Sequence, residues 1–215
     1  MSEPLLILDK LAVGHEKSLI KNINVEVKSG EIIAILGPSG IGKTTLLRTI
    51  AGLIQPLEGK ISIINTPKRG GIGYIPQKLG LVRHASVLHN VDLGARAGTK
   101  LSFKWWSERK LKVKNAVKSM EILDKMNEPV RRLSGGEQRR VATARTLAQQ
   151  PRLILADEFL SELDEDNVEL VVSAVKKLVN NGSTVIMVEH HEEHAQNIAD
   201  RIWKITETGL KEEVC

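Results

Sequence analysis

Apolar and polar residues follow strand-like periods near both ends of the chain. Leu5–Leu11 and Asn22–Val27 alternate between the two classes, which predicts antiparallel or edge strands. Ile32–Leu36 is continuously apolar, as expected for a parallel strand buried on both faces. Similar patterns predict strands at Lys60–Ile64, Ile72–Ile75, Leu153–Ala156, Thr184–Val188 and Arg201–Ile205.

Helical periods dominate the middle of the chain, where residues 84–150 contain no convincing strand. Helices are predicted near Ser86–Ala95, Ser107–Met126 and Glu137–Gln149, with two more near Thr44–Leu53 and Asn167–Val179. Strands that alternate with helices on either side of this region indicate an α/β layer architecture. We therefore expect one domain over residues 1–215, with an α/β core from 1–83 and 151–215 and a helical subdomain from 84–150.

Composition narrows the functional classes. The net charge of +5 is too small to indicate nucleic-acid binding, and 3% aromatic residues are a poor basis for stacking on bases. A single cysteine, Cys215, excludes an internal disulfide framework and favours a reducing cytosol. No apolar run reaches the 18 or so residues of a membrane span, so work at a membrane would require a partner chain that holds the protein there.

A phosphate-binding loop is predicted between the strand Ile32–Leu36 and the helix that follows. Residues 37–44 read GPSGIGKT and fit G-x-x-x-x-G-K-[ST], in which glycines let backbone N–H groups turn toward an anion. Lys43 would lie between the β- and γ-phosphates, Thr44 would bind Mg²⁺, and Thr45 would reach the α-phosphate. The candidate nucleotide-binding residues here are Gly37, Pro38, Ser39, Gly40, Gly42, Lys43, Thr44 and Thr45.

Two carboxylates end the apolar strand Leu153–Ala156. Adjacent side chains on an extended chain point apart, so Asp157 can face a metal while Glu158 faces the γ-phosphate. Asp157 suits Mg²⁺, and Glu158 suits orienting or deprotonating a water. The plain alternative is a solvated strand end.

The segment LSGGEQ, residues 133–138, precedes a predicted helix. Ser134 and Glu137 have the spacing of a capping box, which by itself requires no ligand. Gly135 and Gly136 leave space for an anion at the helix N-terminus, which favours a second, ligand-binding reading.

These motifs together make the sequence resemble the nucleotide-binding subunits of ABC transporters, from about Leu5 to Glu207. The remaining motifs follow one another along the chain in the same order as in that family. Gln77 is similar to the Q-loop glutamine, Ser161–Asp164 to the D-loop and His190 to the switch histidine. The resemblance implies an α/β P-loop NTPase (RecA-like) core with a parallel sheet, an N-terminal antiparallel β-subdomain and an inserted helical subdomain. It also implies slow hydrolysis of ATP with Mg²⁺.

The resemblance further implies a head-to-tail homodimer that encloses two ATP molecules. Ser134, Gly135, Gly136 and Glu137 would serve the ATP on the partner's phosphate loop, and Ser161 and Asp164 would lie near it. Glu158 and His190 would act in catalysis. Gln77 would be a metal ligand together with Thr44 and Asp157, and would sense the metal and the γ-phosphate. A multi-span membrane permease would dock on the helical subdomain at the inner face of the cell membrane. An external substrate-binding protein would be a further partner in an importer.

Two features depart from the family pattern or leave alternatives. His15 stands where the family places an aromatic that stacks on adenine, and it is either a weaker stacking group or a plain loop histidine. Phe103–Trp106, with Lys100, Arg109, Lys110, Lys112 and Lys114, is either a surface for lipid headgroups or a membrane subunit, or a solvated helix with tryptophan packed on the core.

Local segments around Val87–Val91 and Leu147–Pro151 are similar to the phosphonate-uptake branch of ABC importers. The alternatives are an ATPase of a lipoprotein-export or cell-division complex, or a nucleotide-gated scaffold without transport. The sequence names no transported substrate.

Overall fold

Two β-sheets and six α-helices form the fold in the computed structural model, which describes residues 3–99, 102–161 and 163–215. The strands are β1 Pro4–Gly14, β2 Ser18–Lys28, β3 Ile32–Leu36, β4 Glu58–Ile63, β5 Ile72–Ile75, β6 Leu153–Asp157, β7 Thr184–Val188, β8 Arg201–Thr206 and β9 Gly209–Val214. The helices are α1 Lys43–Ile50, α2 Val87–Gly98, α3 Trp105–Ser119, α4 Gly135–Gln149, α5 Glu165–Asn180 and α6 Glu192–Ile198.

The larger sheet has the strand order β5-β6-β7-β3-β8-β9. The first five strands are parallel, and β9 pairs antiparallel with β8 at the edge. The smaller sheet is antiparallel, with the order β2-β1-β4. The predicted α/β class with a parallel sheet and an N-terminal antiparallel sheet is therefore confirmed.

The parallel sheet separates two hydrophobic cores. Along β3, Ala34 packs toward α2–α5, whereas Ile33 and Ile35 pack toward α1 and the antiparallel sheet. Successive side chains on a strand point to opposite faces, and both faces of this sheet are covered. This explains why the central strands are apolar at every position, and why all five residues of β3 and of β7 are buried.

Helices α2, α3 and α4 occupy residues 87–149 and pack on one another and on the first core. Helix α2 approaches α4 closely because two of its residues are glycine. A Cβ built on Gly94 would lie 1.9 Å from the carbonyl oxygen of Arg145, and one on Gly98 would lie 1.7 Å from that of Gln149. No helix within the described ranges combines the length and hydrophobicity required to cross a bilayer.

The structure differs from the predicted elements in three places. The helix predicted over Ser107–Met126 ends at Ser119, because Glu121 adopts a left-handed conformation with φ 51°. The N–H groups of Ile122 and Glu121 donate to the carbonyls of Val117 and Lys118, which is the Schellman pattern, and Ile122 is then fully buried. Helix α6 and strand β9 were not predicted.

Candidate functional site

The phosphate loop connects β3 to α1, as predicted. Gly37, Gly40 and Gly42 have φ values of 151°, 79° and 114°, a region that favours glycine. The Lys43 ammonium donates to the carbonyl oxygens of Gly37 at 2.7 Å and Pro38 at 3.0 Å, so the side chain folds back over the loop. Burial lowers the pKa of Lys43, and Glu158 and Asp157 oppose that shift.

A cavity of about 180 Å³ opens above this loop. The loop and α1 contribute Ser39, Gly40, Gly42, Lys43, Thr44 and Thr45, and Leu19, Glu158 and His190 complete the lining. The structure therefore brings six of the eight predicted loop residues and both predicted catalytic residues to one cavity, whereas Gly37 and Pro38 do not line it. His15 lies exposed in the β1–β2 turn and does not line it; Leu19 of the same hairpin does.

Asp157 is the last residue of β6 and is only 1% exposed. The Thr44 hydroxyl donates to its Oδ1 at 2.9 Å. Its Oδ2 is buried and has no hydrogen-bond partner among the described residues. Burial raises the pKa of this carboxyl, and the Thr44 hydroxyl opposes the shift. A hydroxyl beside a carboxylate with one unpartnered oxygen is a donor set that fits Mg²⁺.

Glu158 has an unusual backbone, with φ 51° in the left-handed region. Its carbonyl oxygen accepts bonds from the Arg139 guanidinium at 2.9 Å and from the Ser161 hydroxyl and N–H at 2.8 and 3.2 Å. These contacts stabilise a conformation that costs about 1–3 kcal/mol in a residue other than glycine. Strained backbone of this kind, stabilised by its surroundings, is common at functional sites.

The Glu158 carboxylate contacts the side chains of Gln77 and His190. The Gln77 amide donates to its Oε2 at 2.7 Å, and His190 Nε2 lies 2.6 Å from its Oε1. These residues follow three different strands, β5, β6 and β7, whose carboxyl ends meet at one edge of the parallel sheet. Gln77, predicted as a metal ligand, contacts Glu158 here.

The LSGGE segment forms the predicted capping box at the start of α4. The Glu137 N–H donates to the Ser134 hydroxyl at 3.3 Å, and the Ser134 N–H donates to the Glu137 carboxylate at 2.8 Å. Lys125 pairs with the same carboxylate, and its hydrogen bond is the main reason that the pKa of Glu137 is lowered. Outside the helix's own backbone, and among the residues that the structure describes, a Cβ on Gly135 would meet no atom within 4 Å, and one on Gly136 would meet only Leu163, at 3.7 Å.

None of the LSGGE residues lines the cavity above the phosphate loop. Gly135 lines a separate cavity of about 460 Å³ beside Gln77 and the residues that follow it. Arg145, further along α4, donates to the carbonyl oxygens of Leu79 and Gly80 and so connects α4 to the Gln77 loop. Sequence reasoning missed Arg139 and Arg145, because both act through backbone carbonyls of residues distant in the chain.

The candidate D-loop residues have local partners. The Ser161 hydroxyl donates to the carbonyl oxygen of Glu158. The Asp164 carboxylate accepts a hydrogen bond from the N–H of Asn167 at 2.9 Å and so caps the N-terminus of α5. Glu162, between them, lies outside the described residues.

A groove of about 700 Å³ lies between α2, α3 and the segment 120–126. Leu88, Val113, Leu123 and Met126 provide apolar lining, and Asp92, Arg109, Lys110 and Lys114 add charge. Arg109 lies 4.8 Å from the ring centres of both tryptophans and pairs with Asp92. Trp105 is half-buried, whereas Trp106, 61% exposed, lines the groove; Lys100 lies outside the described residues.

Comparisons with known proteins show which family this chain is similar to. The family described as ABC transporter matches residues 20–161. The arginine transport ATP-binding protein ArtM of Bacillus subtilis (strain 168) is 35% identical over 206 residues, which cover 91% of this chain and 85% of ArtM. The phosphonates import ATP-binding protein PhnC of Escherichia coli (strain K12) is 32% identical over 222 residues, covering 93% of this chain and 85% of PhnC.

Among solved structures, a dimeric post-hydrolysis state of the ATP-binding cassette MJ0796 bound to ADP and Pi has a TM-score of 0.83 and 31% identity. The match covers 97% of this chain and 98% of that one.

Proposed function

The chain belongs to the ABC transporter family, and from this premise we propose that it is the ATP-binding and ATP-hydrolysing subunit that powers an importer in the cytoplasmic membrane. The observation that carries the proposal is the convergence of the phosphate loop, Glu158 and His190 on one cavity, with Asp157 bonded to the Thr44 hydroxyl behind it. A carboxylate held between a glutamine and a histidine, above a triphosphate cradle, is arranged for attack of water on a γ-phosphate.

The roles of the residues follow from their placement. The backbone N–H groups of residues 39–44 and the Lys43 ammonium bind the phosphates, and Lys43 exchanges its two loop carbonyls for phosphate oxygens. Glu158 accepts a hydrogen bond from the attacking water and draws off its proton. His190, 2.6 Å from the same carboxylate, fixes the Glu158 side chain and contacts the γ-phosphate.

Thr44 and the unpartnered oxygen of Asp157 would hold Mg²⁺. When bound, the cation neutralises charge that develops on the phosphate oxygens. Gln77 lies on Glu158, so its side chain is in place to respond when the γ-phosphate is lost.

We propose that two copies associate head to tail, each covering the partner's ATP with Ser134–Glu137. Support comes from the position of this segment away from its own phosphate cavity and from the open space at Gly135 and Gly136. A helix N-terminus with free space above it accommodates phosphate oxygens. Ser161 and Asp164 would lie near the same interface, and loss of the γ-phosphate would remove the contacts that hold the copies together.

The membrane permease would dock in the groove between α2, α3 and residues 120–126, on a helical subdomain of residues 84–150. An apolar groove flanked by charges of both signs fits an amphipathic segment with polar ends. The subunit would therefore act at the cytoplasmic face of the membrane. ArtM and PhnC are named for different cargoes, so the membrane partner and an external binding protein would determine what is transported.

The proposal is tested by hydrolysis and by association. Purified protein with MgATP is expected to release phosphate slowly, and Glu158→Gln is expected to lower this rate at least about a hundredfold, as for loss of a catalytic base. The variant is also expected to form an ATP-dependent dimer, seen by light scattering on a sizing column.

Glu169→Gln, an exposed carboxylate on α5, is the matched control and should behave as wild type. Wild-type turnover in Glu158→Gln would exclude the proposed base. Copurification of the tagged chain with a multi-span membrane protein, lost when Trp106 is changed to Glu, would support the docking groove.

A further inference from the structure

Glu189 follows strand β7 and does not line the phosphate cavity. Its backbone N–H donates to the carbonyl of Ile35 at 3.1 Å, so Glu189 extends the pairing of β7 with β3. The residue is thus anchored beside the strand that leads into the phosphate loop, and the next residue is His190. We infer that Glu189 is a positioning residue for His190, an inference that rests on the proposed role of His190 in hydrolysis.

The Glu189 side chain turns back on its own backbone. Its Oε1 accepts the N–H of His190 at 2.9 Å and lies 3.4 Å from the N–H of His191. These amides lead into α6, and His191, the N-cap residue of that helix, makes no side-chain capping bond. The Glu189 carboxylate therefore does for this turn what an N-cap side chain does for other helices, and it orients the peptide that carries His190.

Glu189 is buried, which indicates that the hydrogen bonds of its carboxylate matter for this turn. The residue is 6% exposed, and a carboxylate at such a position is costly unless it is hydrogen-bonded. An apolar residue of the same size would fill the space without that cost. Bonds from N–H groups to a charged acceptor are stronger than neutral ones, so the carboxylate holds this turn more firmly than a neutral acceptor would.

The turn determines which of two adjacent histidines faces the phosphate cavity. His190 Nε2 contacts the Glu158 carboxylate and lines the cavity. The ring of His191 instead lies 5.2 Å from that of His194, on α6. Backbone rotation between residues 189 and 191 would change the direction of the His190 side chain, and the bonds to Glu189 oppose that rotation.

The test uses Glu189→Leu, which is similar in size but accepts no hydrogen bond, and Glu189→Gln, whose amide oxygen still accepts one. Both are made in the wild-type chain and in a His190→Ala background. Glu189→Leu is expected to lower kcat for ATP about tenfold or more, since small misplacements of a reacting group have effects of this size. Affinity for MgATP, measured by fluorescence of a labelled nucleotide, should change by less than about threefold, because the phosphate loop is untouched.

Glu189→Gln should restore most of the activity, and in the His190→Ala background Glu189→Leu should cause no further loss. A loss that multiplies with that of His190→Ala would overturn the inference, as would unchanged turnover in Glu189→Leu. A second readout is independent of activity: the His190 imidazole resonance in an NMR spectrum should move in Glu189→Leu, while those of His15 and His84 stay in place. An unmoved His190 resonance would refute the positioning role. Wild-type turnover in His190→Ala would instead refute the proposed role of His190, and the resonance would still decide the role of Glu189.

Discussion

Asp157→Asn is expected to stabilise the free protein while removing its response to Mg²⁺. The carboxylate is 1% exposed, and only one of its oxygens has a partner among the described residues, the Thr44 hydroxyl at 2.9 Å. Asparagine keeps an oxygen that can accept this bond and removes the buried charge. The substitution therefore replaces a charged oxygen that has no hydrogen-bond partner with a neutral amide group of nearly the same volume.

The size of the effect follows from what is lost and kept. The hydrogen bond from Thr44 is retained, so the gain in the free energy of unfolding comes from no longer burying a charge away from water. An unsatisfied buried polar group costs about 1–3 kcal/mol, and a charged one costs more. For a chain of this length, each kcal/mol shifts Tm by about 2–4 °C. We expect Asp157→Asn to raise Tm by roughly 2–12 °C in the absence of nucleotide and magnesium.

The pH dependence provides a check on the cause. Burial raises the pKa of Asp157 above its ordinary value, so the native state keeps this proton at pH values where the unfolded chain has lost it. Stability from this group is present at low pH and is lost as the pH rises through the raised pKa. Asparagine does not titrate, so the Tm difference should be largest near neutral pH and should shrink on acidification.

The assay is differential scanning fluorimetry from neutral to acidic pH, with and without MgATP, beside phosphate release. Wild type should gain more Tm from MgATP than from ATP with a chelator, and the variant should gain equally from both. A variant that is less stable than wild type at neutral pH, or that keeps its Mg²⁺ response, would refute this account of the site.

Three further changes probe the glycines and the end of α3. Gly136→Ala should raise the free energy of unfolding by up to about 1 kcal/mol, because alanine has the higher helix propensity, and so raise Tm slightly. The same change should weaken the ATP-dependent dimer of the Glu158→Gln variant in sizing experiments, and an undiminished dimer would argue against contact at this segment. Gly94→Ala should lower the free energy of unfolding in urea by about 1–3 kcal/mol, because its Cβ would lie 1.9 Å from a backbone oxygen of α4, and unchanged stability would contradict the close packing. Glu121→Gly should stabilise by about 1 kcal/mol in the same assay, because φ is 51° there, while Glu121→Ala should give no such gain.

The elements that the sequence predicted well are those set by short-range pattern. Strands Ile32–Leu36 and Thr184–Val188 have the predicted bounds, because a strand buried on both faces leaves a nearly continuous apolar run. Strand Ile72–Ile75, at the edge of the sheet and only partly buried, also has the predicted bounds. Helix α1 ends at Ile50, close to the predicted end near Leu53, and Gly52 just beyond it has a φ of 73°, so this end carries the local signal of a glycine at a left-handed position. The end of α3 was missed because Glu121 occupies the equivalent position without that signal.

For the candidate site, the sequence by itself determined the chemical groups: the glycines and Lys43 of the phosphate loop, the carboxylates at residues 157 and 158, and the capping box at Ser134. Each is recognisable because its residues are neighbours in the chain. The pairing of Glu158 with Gln77 and His190 was decided by the order of β5, β6 and β7 in the sheet, which brings residues up to 113 positions apart to one edge. The resemblance named these residues, but their distances depend on strand register.

The bonds that hold the site were decided by tertiary structure alone. Arg139 on the Glu158 carbonyl, Arg145 on the loop after Gln77, and Glu189 beneath His190 all bind backbone groups. Every residue has a backbone N–H or carbonyl, so such a bond leaves no mark on the identity of its partner, and no sequence pattern can reveal it. Only the packing of α4 and the turn after β7 bring donor and acceptor together.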